Sequence, residues 1–113
     1  MDHYKVIMTP DSVEDLRELR DYIAYVLCVP ETALEYIQSI RKKISTLEMM
    51  PSRVIPVSDE PWHSIGIRKI ASKNFYIYFR IDEDEKTVYI LNIIYNKRDQ
   101  LRILEDMDIE GDG

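Results

Sequence analysis

The chain has 113 residues, 45% of them hydrophobic, and a formal net charge of −6. That length suits one domain that can bury a single core without disulfide or metal staples. Only three glycines and five prolines argue against a loop-rich or disordered chain, and no apolar run approaches the ~18 residues that a bilayer span needs.

The opening MDHYKVIMTP has an acid at Asp2 and no long apolar stretch, so no secretory signal and a cytoplasmic location are expected. Residues 4–9, YKVIMT, predict a short strand carrying the β-branched Val6 and Ile7. A helix start follows. Thr9 is the N-cap, Pro10 takes the first helical position, and Asp11, Glu14 and Asp15 sit near the positive dipole end. Val13, Leu16, Leu19, Ile23 and Leu27 then recur at helical spacing. Pro30 breaks this helix and opens a second, whose apolar face is Leu34, Ile37, Ile40, Ile44 and Leu47. The short connector around Val29 makes the two an antiparallel hairpin. Cys28 is the only cysteine, so no internal disulfide can form, and its apolar setting predicts a buried, inert thiol.

Pro51 ends the second helix, and PSRVIPVSDEPWHSI (51–65) has no clean period, so it reads as a loop. Trp62 in that loop is expected to lie as a lid over the helical hairpin. Three strands should follow. The first spans about 66–71 and the second about 74–81, where Phe75, Ile77, Phe79 and Ile81 alternate with Tyr76, Tyr78 and Arg80. Either set could face solvent. The acidic DEDEK (82–86) turns the chain into TVYILNIIY (87–95), apolar on both faces and therefore a central strand. Asn96 could cap a last helix, 97–106, with Leu101 and Leu104, before an acidic tail at 107–113. The whole is an α+β domain over residues 1–106, in the order β-α-α-β-β-β-α, with a mostly antiparallel sheet packed on a helical hairpin. His3 and His63 are far apart and no metal-ligand spacing occurs, so neither metal nor other cofactor is expected.

Charge is uneven along this order. Residues 52–81 hold five bases against two acids, whereas residues 1–29 hold three bases against six acids. GIRKIASKNFYIYFRI (66–81) gathers Arg68, Lys69, Lys73 and Arg80 with three aromatics and no acid. A local anion-facing patch explains that better than a general attraction to nucleic acid. The plain alternatives stay open. Arg68 could be a structural salt-bridge partner, and Tyr78 and Phe79 could be cross-strand packing residues.

Taken in order, YKVIMTPDSVEDLRELRDYI, the break at VPETA, the GIRKI…NFYIYFRI strand pair and the closing IIYNKRD resemble the RelE/ParE superfamily of type II toxin–antitoxin toxins. The likeness covers nearly all of residues 4–104. It implies a mixed sheet on a helical hairpin, a cognate antitoxin, and growth arrest when the antitoxin is lost. Two targets are open. RelE-like members cut mRNA on the ribosome without metal, which needs a deprotonated 2′-hydroxyl, a stabilised phosphorane and a protonated leaving group. ParE-like members inhibit DNA gyrase.

On that resemblance Arg68, Lys69, Arg98 and Tyr95 are the catalytic candidates if the chain is a nuclease. Lys73, Tyr76, Arg80 and Lys97 are candidates for target contact, and an apolar groove near Leu19, Ile23 and Tyr36 for the antitoxin. The chain departs from the nuclease pattern at Tyr76, where an arginine is usual, and at Leu104, where a C-terminal tyrosine is expected. Its acidity also suits an RNA-lined site poorly. The ParE-like side is therefore favoured: a toxin that inhibits a protein target such as gyrase. A ribosome-dependent endoribonuclease and a non-toxic relic that keeps only antitoxin binding are the alternatives. No membrane partner is expected, and a homodimer or a toxin–antitoxin hetero-oligomer both fit.

Overall fold

The computed structural model describes residues 3–26, 28–72 and 75–95. Four strands form one sheet: β1 (Lys5–Met8), β2 (Arg68–Ser72), β3 (Phe75–Asp82) and β4 (Thr87–Tyr95). Their spatial order is β1-β4-β3-β2, with β1 parallel to β4 and the other pairs antiparallel. Helices α1 (Pro10–Asp21) and α2 (Pro30–Ser45) cover one face. The expected last helix, 97–106, lies outside the described residues, as do Leu27, Lys73, Lys97, Arg98 and Leu104.

The start of α1 is built as its sequence demands. Thr9 is extended, its hydroxyl accepts from the Ser12 amide at 3.3 Å, Pro10 opens the helix and Asp11 lies in its first turn. Leu16, Leu19 and Ile23 are buried, whereas Val13, expected on the same face, is 52% exposed. After Asp21 the helix widens into a π turn, Tyr22–Val26, which keeps Ile23 in the core and leaves Tyr25 and Val26 outside. Cys28 then adopts a left-handed φ of 58°, and the Val29 amide donates to the Ile23 carbonyl at 3.1 Å. That reversal turns Cys28 outward, so the thiol is exposed and not buried as the apolar context suggested.

Helix α2 ends at Ser45, earlier than the proline at position 51 implied, and passes into a 3₁₀ turn, Thr46–Glu48. Its inner face is Ala33, Ile40 and Ile44, continued by Leu47, with Ile37 packed at the margin. Leu34 is instead 59% exposed, because the small Ala33 takes the position where α2 meets the core.

The alternation of β3 sorts the sheet faces. Phe75, Ile77 and Phe79 are fully buried under the helices, and complete burial of each is worth roughly 1.5–3 kcal/mol. Tyr76, Tyr78 and Arg80 are left on the open face. Tyr36 of α2 meets Phe75 edge to face, with centroids 5.4 Å apart.

In β4 the register slips. Tyr78 pairs with Asn92 but Phe79 with Ile90, so Leu91 is an extra residue in a β-bulge. The bulge lets Val88, Ile90 and Ile93 all reach the core although the last two are three positions apart. β1 pairs β4 only as far as Ile90, and α1 takes over beyond it. The Thr9 hydroxyl donates to the Ile90 carbonyl at 2.7 Å, and the Asp15 carboxylate accepts from the Ile93 amide at 3.0 Å and the Asn92 side-chain amide at 3.1 Å. Backbone groups of a central strand that would otherwise lack partners are thereby satisfied.

The segment before β2 is held by its own backbone bonds. Val57 donates to Ile67, Ile67 to Trp62, and the His63 ring Nδ1–H to the Val57 carbonyl at 2.8 Å. Arg68 braces it from the sheet: its guanidinium donates to the carbonyls of Val54 and Ser52.

Two consequences can be measured. Asp15→Ala should cost about 2 kcal/mol in urea denaturation, since it strands the Ile93 amide, and Asp15→Asn, which keeps one acceptor, should cost less. Arg68→Ala should cost about 1–2 kcal/mol and speed amide exchange at Val57 and Ile67. Exchange at those amides that stays at the wild-type rate would show that Arg68 braces nothing.

Candidate functional site: the open face of the sheet

One face of the sheet is uncovered by α1 and α2, and the Val57–Ile67 loop rises at its margin. Between loop and sheet lies a groove of about 530 Å³. Trp62 and Ile65 form its outer wall, and Lys69, Tyr78, Leu91, Asn92 and Ile94 form its floor. Trp62 is 52% exposed and Ile65 is 64% exposed, so both show apolar surface to solvent. The bulge contributes directly: the extra Leu91 and its neighbour Asn92 both reach the groove. Because the Asn92 amide nitrogen donates to Asp15, its carbonyl oxygen remains for a ligand.

The cations of this face lie over aromatic rings. Lys69 Nζ is 4.5 Å from the Tyr76 ring centroid, and Arg80 Cζ is 4.4 Å from that of Tyr89. Register explains the first contact, since Lys69 is opposite Tyr78 and Ala71 opposite Tyr76, which leaves the small Ala71 no bulk to block the lysine. Neither Lys69 nor Arg80 has a carboxylate partner among the described residues. Among those residues, too, the polar side chains of the groove, Asp59, Lys69, Tyr78 and Asn92, do not hydrogen-bond one another. The groove thus offers apolar area, an acceptor and a cation. Among the described residues, no general base paired to a hydroxyl is assembled in it.

The sequence candidates divide accordingly. Lys69, Tyr76 and Arg80 come together on the open face. Arg68 is not among them: it pairs with the buried Phe79, on the other face from Lys69, and its side chain is committed to the Val54 and Ser52 carbonyls. Tyr95 is the last residue of β4 and pairs with Phe75, while Lys73, Lys97 and Arg98 lie outside the described residues. Leu19 and Ile23, expected in an open antitoxin groove, are buried core residues, and Tyr36 is half-buried against Phe75. Position 19 on α1 and position 23 in the π turn both pack into the core cluster.

Trp62 is no lid over the hairpin. It stands over the opposite face of the sheet, with Tyr78 and Asn92 beneath the same groove. Ile65, Leu91 and Asn92 were not singled out from sequence. A signal existed for the loop pair, since a tryptophan and isoleucines in a proline-rich segment have no core to fill. Alternation alone could not have located the bulge.

A second groove, of about 470 Å³, crosses the outer side of the hairpin, lined by Arg20, Ala24, Tyr25, Leu34, Ile37 and Arg41 among others. Tyr25 is 77% exposed there.

Comparison with known proteins agrees with this architecture. The chain superposes on a structure from the chromosomal ParDE toxin–antitoxin system of P. aeruginosa with a TM-score of 0.66, at 25% identity over 82% of this chain and 96% of that one. It shares its fold with a chain of the toxin–antitoxin complex RelBE2 from Mycobacterium tuberculosis, with a TM-score of 0.59 at 23% identity over 84% and 93%. It shares it also with a mutant of the E. coli toxin RelE in the free state, with a TM-score of 0.56 at 12% identity over 88% and 90%. No curated protein matches it. The family model described as "ParE toxin of type II toxin-antitoxin system, parDE" matches residues 6–100. Nearly the whole described fold lies within that match, and the chain belongs to the ParE toxin family, within the RelE/ParE superfamily of type II toxin–antitoxin toxins.

Proposed function

We propose that this toxin arrests growth by binding and inhibiting a protein target, DNA gyrase being the target its ParE-type kinship implies, and that a cognate antitoxin neutralises it. One observation carries the choice over RNA cleavage. Among the described residues, the open sheet face is an apolar groove with an exposed tryptophan and two cations that have no carboxylate partner, the composition of a protein-binding surface. An RNA-cleaving face needs a cluster of cations around a proton-transfer pair. Here Arg68, the cation expected to anchor such a cluster, is spent on backbone carbonyls.

The antitoxin reading rests on the family and on neighbours whose structures are toxin–antitoxin systems. Its site moves from Leu19 and Ile23, which are buried, to the outer side of the hairpin. There Tyr25 and Leu34 are exposed between Arg20 and Arg41, a surface suited to an amphipathic helix with acidic flanks.

Target and antitoxin can be tested separately. Within minutes of inducing the chain in bacteria, DNA synthesis should fall before protein synthesis in pulse-labelling. Translation failing first would replace the gyrase reading with the ribosome-dependent nuclease. For the antitoxin, Leu34→Asp should weaken binding by about ten-fold or more in calorimetry while the melting temperature holds. Undiminished affinity would remove the hairpin's outer side from that interface.

A further inference from the structure

The open-face groove has features more specific than apolar area, and they restrict what it can hold. Lys69 and Tyr78 are directly opposite across β2 and β3, and Arg80 lies two residues further along β3 on the same face. Lys69 and Arg80 are therefore diagonal neighbours on one face, but Lys69 leans toward Tyr76 and Arg80 toward Tyr89, so their charged ends point apart. An extended peptide repeats its side chains on one side every ~6.6 Å, so two carboxylates on one side of such a segment can each reach one of these separated cations. Each cation is held over a tyrosine ring, Lys69 on Tyr76 and Arg80 on Tyr89, which fixes its position without neutralising its charge. Beside Lys69 the groove deepens between Trp62 and Ile65 on the loop and Leu91 and Ile94 on β4. Its volume of about 530 Å³ admits a large apolar side chain together with the backbone that carries it.

Resting on the reading of a protein target, we infer that this groove takes an extended acidic segment of that target. One bulky apolar residue lies between Trp62 and Leu91, and separate carboxylates of the segment meet Lys69 in the groove and Arg80 beside it. The Asn92 side-chain oxygen, left over by the bond to Asp15, accepts from the segment's backbone. Charge complementarity selects this occupant. The chain carries −6 overall, and a nucleic acid would meet that field with only two uncompensated cations among the described residues of this face, where backbone recognition needs a continuous basic track. An acidic peptide meets the two cations locally, and its apolar residue supplies the affinity. Among the described residues Asp59, on the loop, is the one carboxylate lining the groove, and it discourages a uniformly acidic ligand.

The test uses the purified full chain and purified DNA gyrase, with affinity read on immobilised gyrase and potency read as loss of supercoiling. Trp62→Ala should weaken both by about ten-fold or more. The double reversal Lys69→Glu with Arg80→Glu should weaken them comparably at low salt and less at high salt, because an exposed charge pair is screened. Lys69→Arg should stay near wild type. Thermal melting checks each fold, and since Lys69 and Arg80 are exposed, the reversal carries the test if Trp62→Ala melts early. A wild-type chain that leaves gyrase unbound would overturn the target reading and this inference with it. Gyrase binding that survives both folded variants would overturn the groove alone. Two other results would assign it a different occupant and overturn the inference: binding of a single-stranded RNA oligonucleotide that the reversal abolishes, or a dimer that Trp62→Ala dissolves while gyrase binding persists.

Discussion

The structure depends on how the outer edge of β4 is completed. β4 has nine residues and β1 only four, so a strand can satisfy just half of that edge. The other half falls to α1, through the Thr9 hydroxyl on Ile90 and the Asp15 carboxylate on Ile93 and Asn92. An unpaired amide inside a sheet costs about as much as several good apolar contacts gain, so the first two turns of α1 are fixed in place relative to the sheet. That fixed placement in turn decides which face of α1 is buried, and hence why Leu16, Leu19 and Ile23 belong to the core.

The same junction shapes the open face. With Ile90 and Ile93 both drawn inward, one residue between them has to be surplus, and Leu91 is pushed toward the open side. A regular strand would have put one side chain where the bulge puts two. The groove floor therefore owes its Leu91–Asn92 pair to a backbone irregularity that the core requires. Bulges recur beside functional sites because they re-aim side chains without breaking a sheet. On the other margin the Val57–Ile67 loop is held by its own hydrogen bonds, and Arg68 ties the residues that lead into it, Ser52 and Val54, to the sheet, so Trp62 and Ile65 are displayed from a braced segment. A surface organised before its partner arrives loses less entropy on binding.

Much of this was legible in the sequence. Thr9-Pro10 with Asp11 marks a helix start whose cap chemistry is local, and the two-residue period of FYIYFRI separates buried from open side chains without any tertiary knowledge. The central position of TVYILNIIY was also readable, because apolar residues on both faces leave no solvated side. What escaped was whatever depends on long-range geometry. The bulge is invisible to periodicity, since a one-residue insertion looks like ordinary apolar content. Cys28 sits among apolar neighbours, yet a left-handed φ sends its side chain outward. Leu34 and Ala33 are adjacent, and only the closeness of helix to core decides that the smaller goes inside. Arg68 read as a candidate cation because its chemistry permits that role, but a guanidinium is equally a five-donor brace for carbonyls, and the loop supplied two.

The division of labour between the faces also bears on how such a toxin can be tuned. The helices, Phe75, Ile77 and Phe79 on one side, and Tyr76, Tyr78, Lys69 and Arg80 on the other, share a backbone but few side-chain contacts. Period-two alternation makes them energetically separable to first order, as distant sites generally are. Substitutions on the open face can alter the partner without eroding the core. The outer side of the hairpin, with Tyr25 and Leu34, is separated from the open face by the full thickness of core and sheet. Two partners could then occupy the molecule at once, and neutralisation through the hairpin would have to act by recruiting bulk or a further segment onto the sheet. If the antitoxin reached only the hairpin, the groove would stay free. If the target binds the open face and the antitoxin the hairpin, as proposed, neutralisation needs either a second contact at the open face or enough mass to shield it.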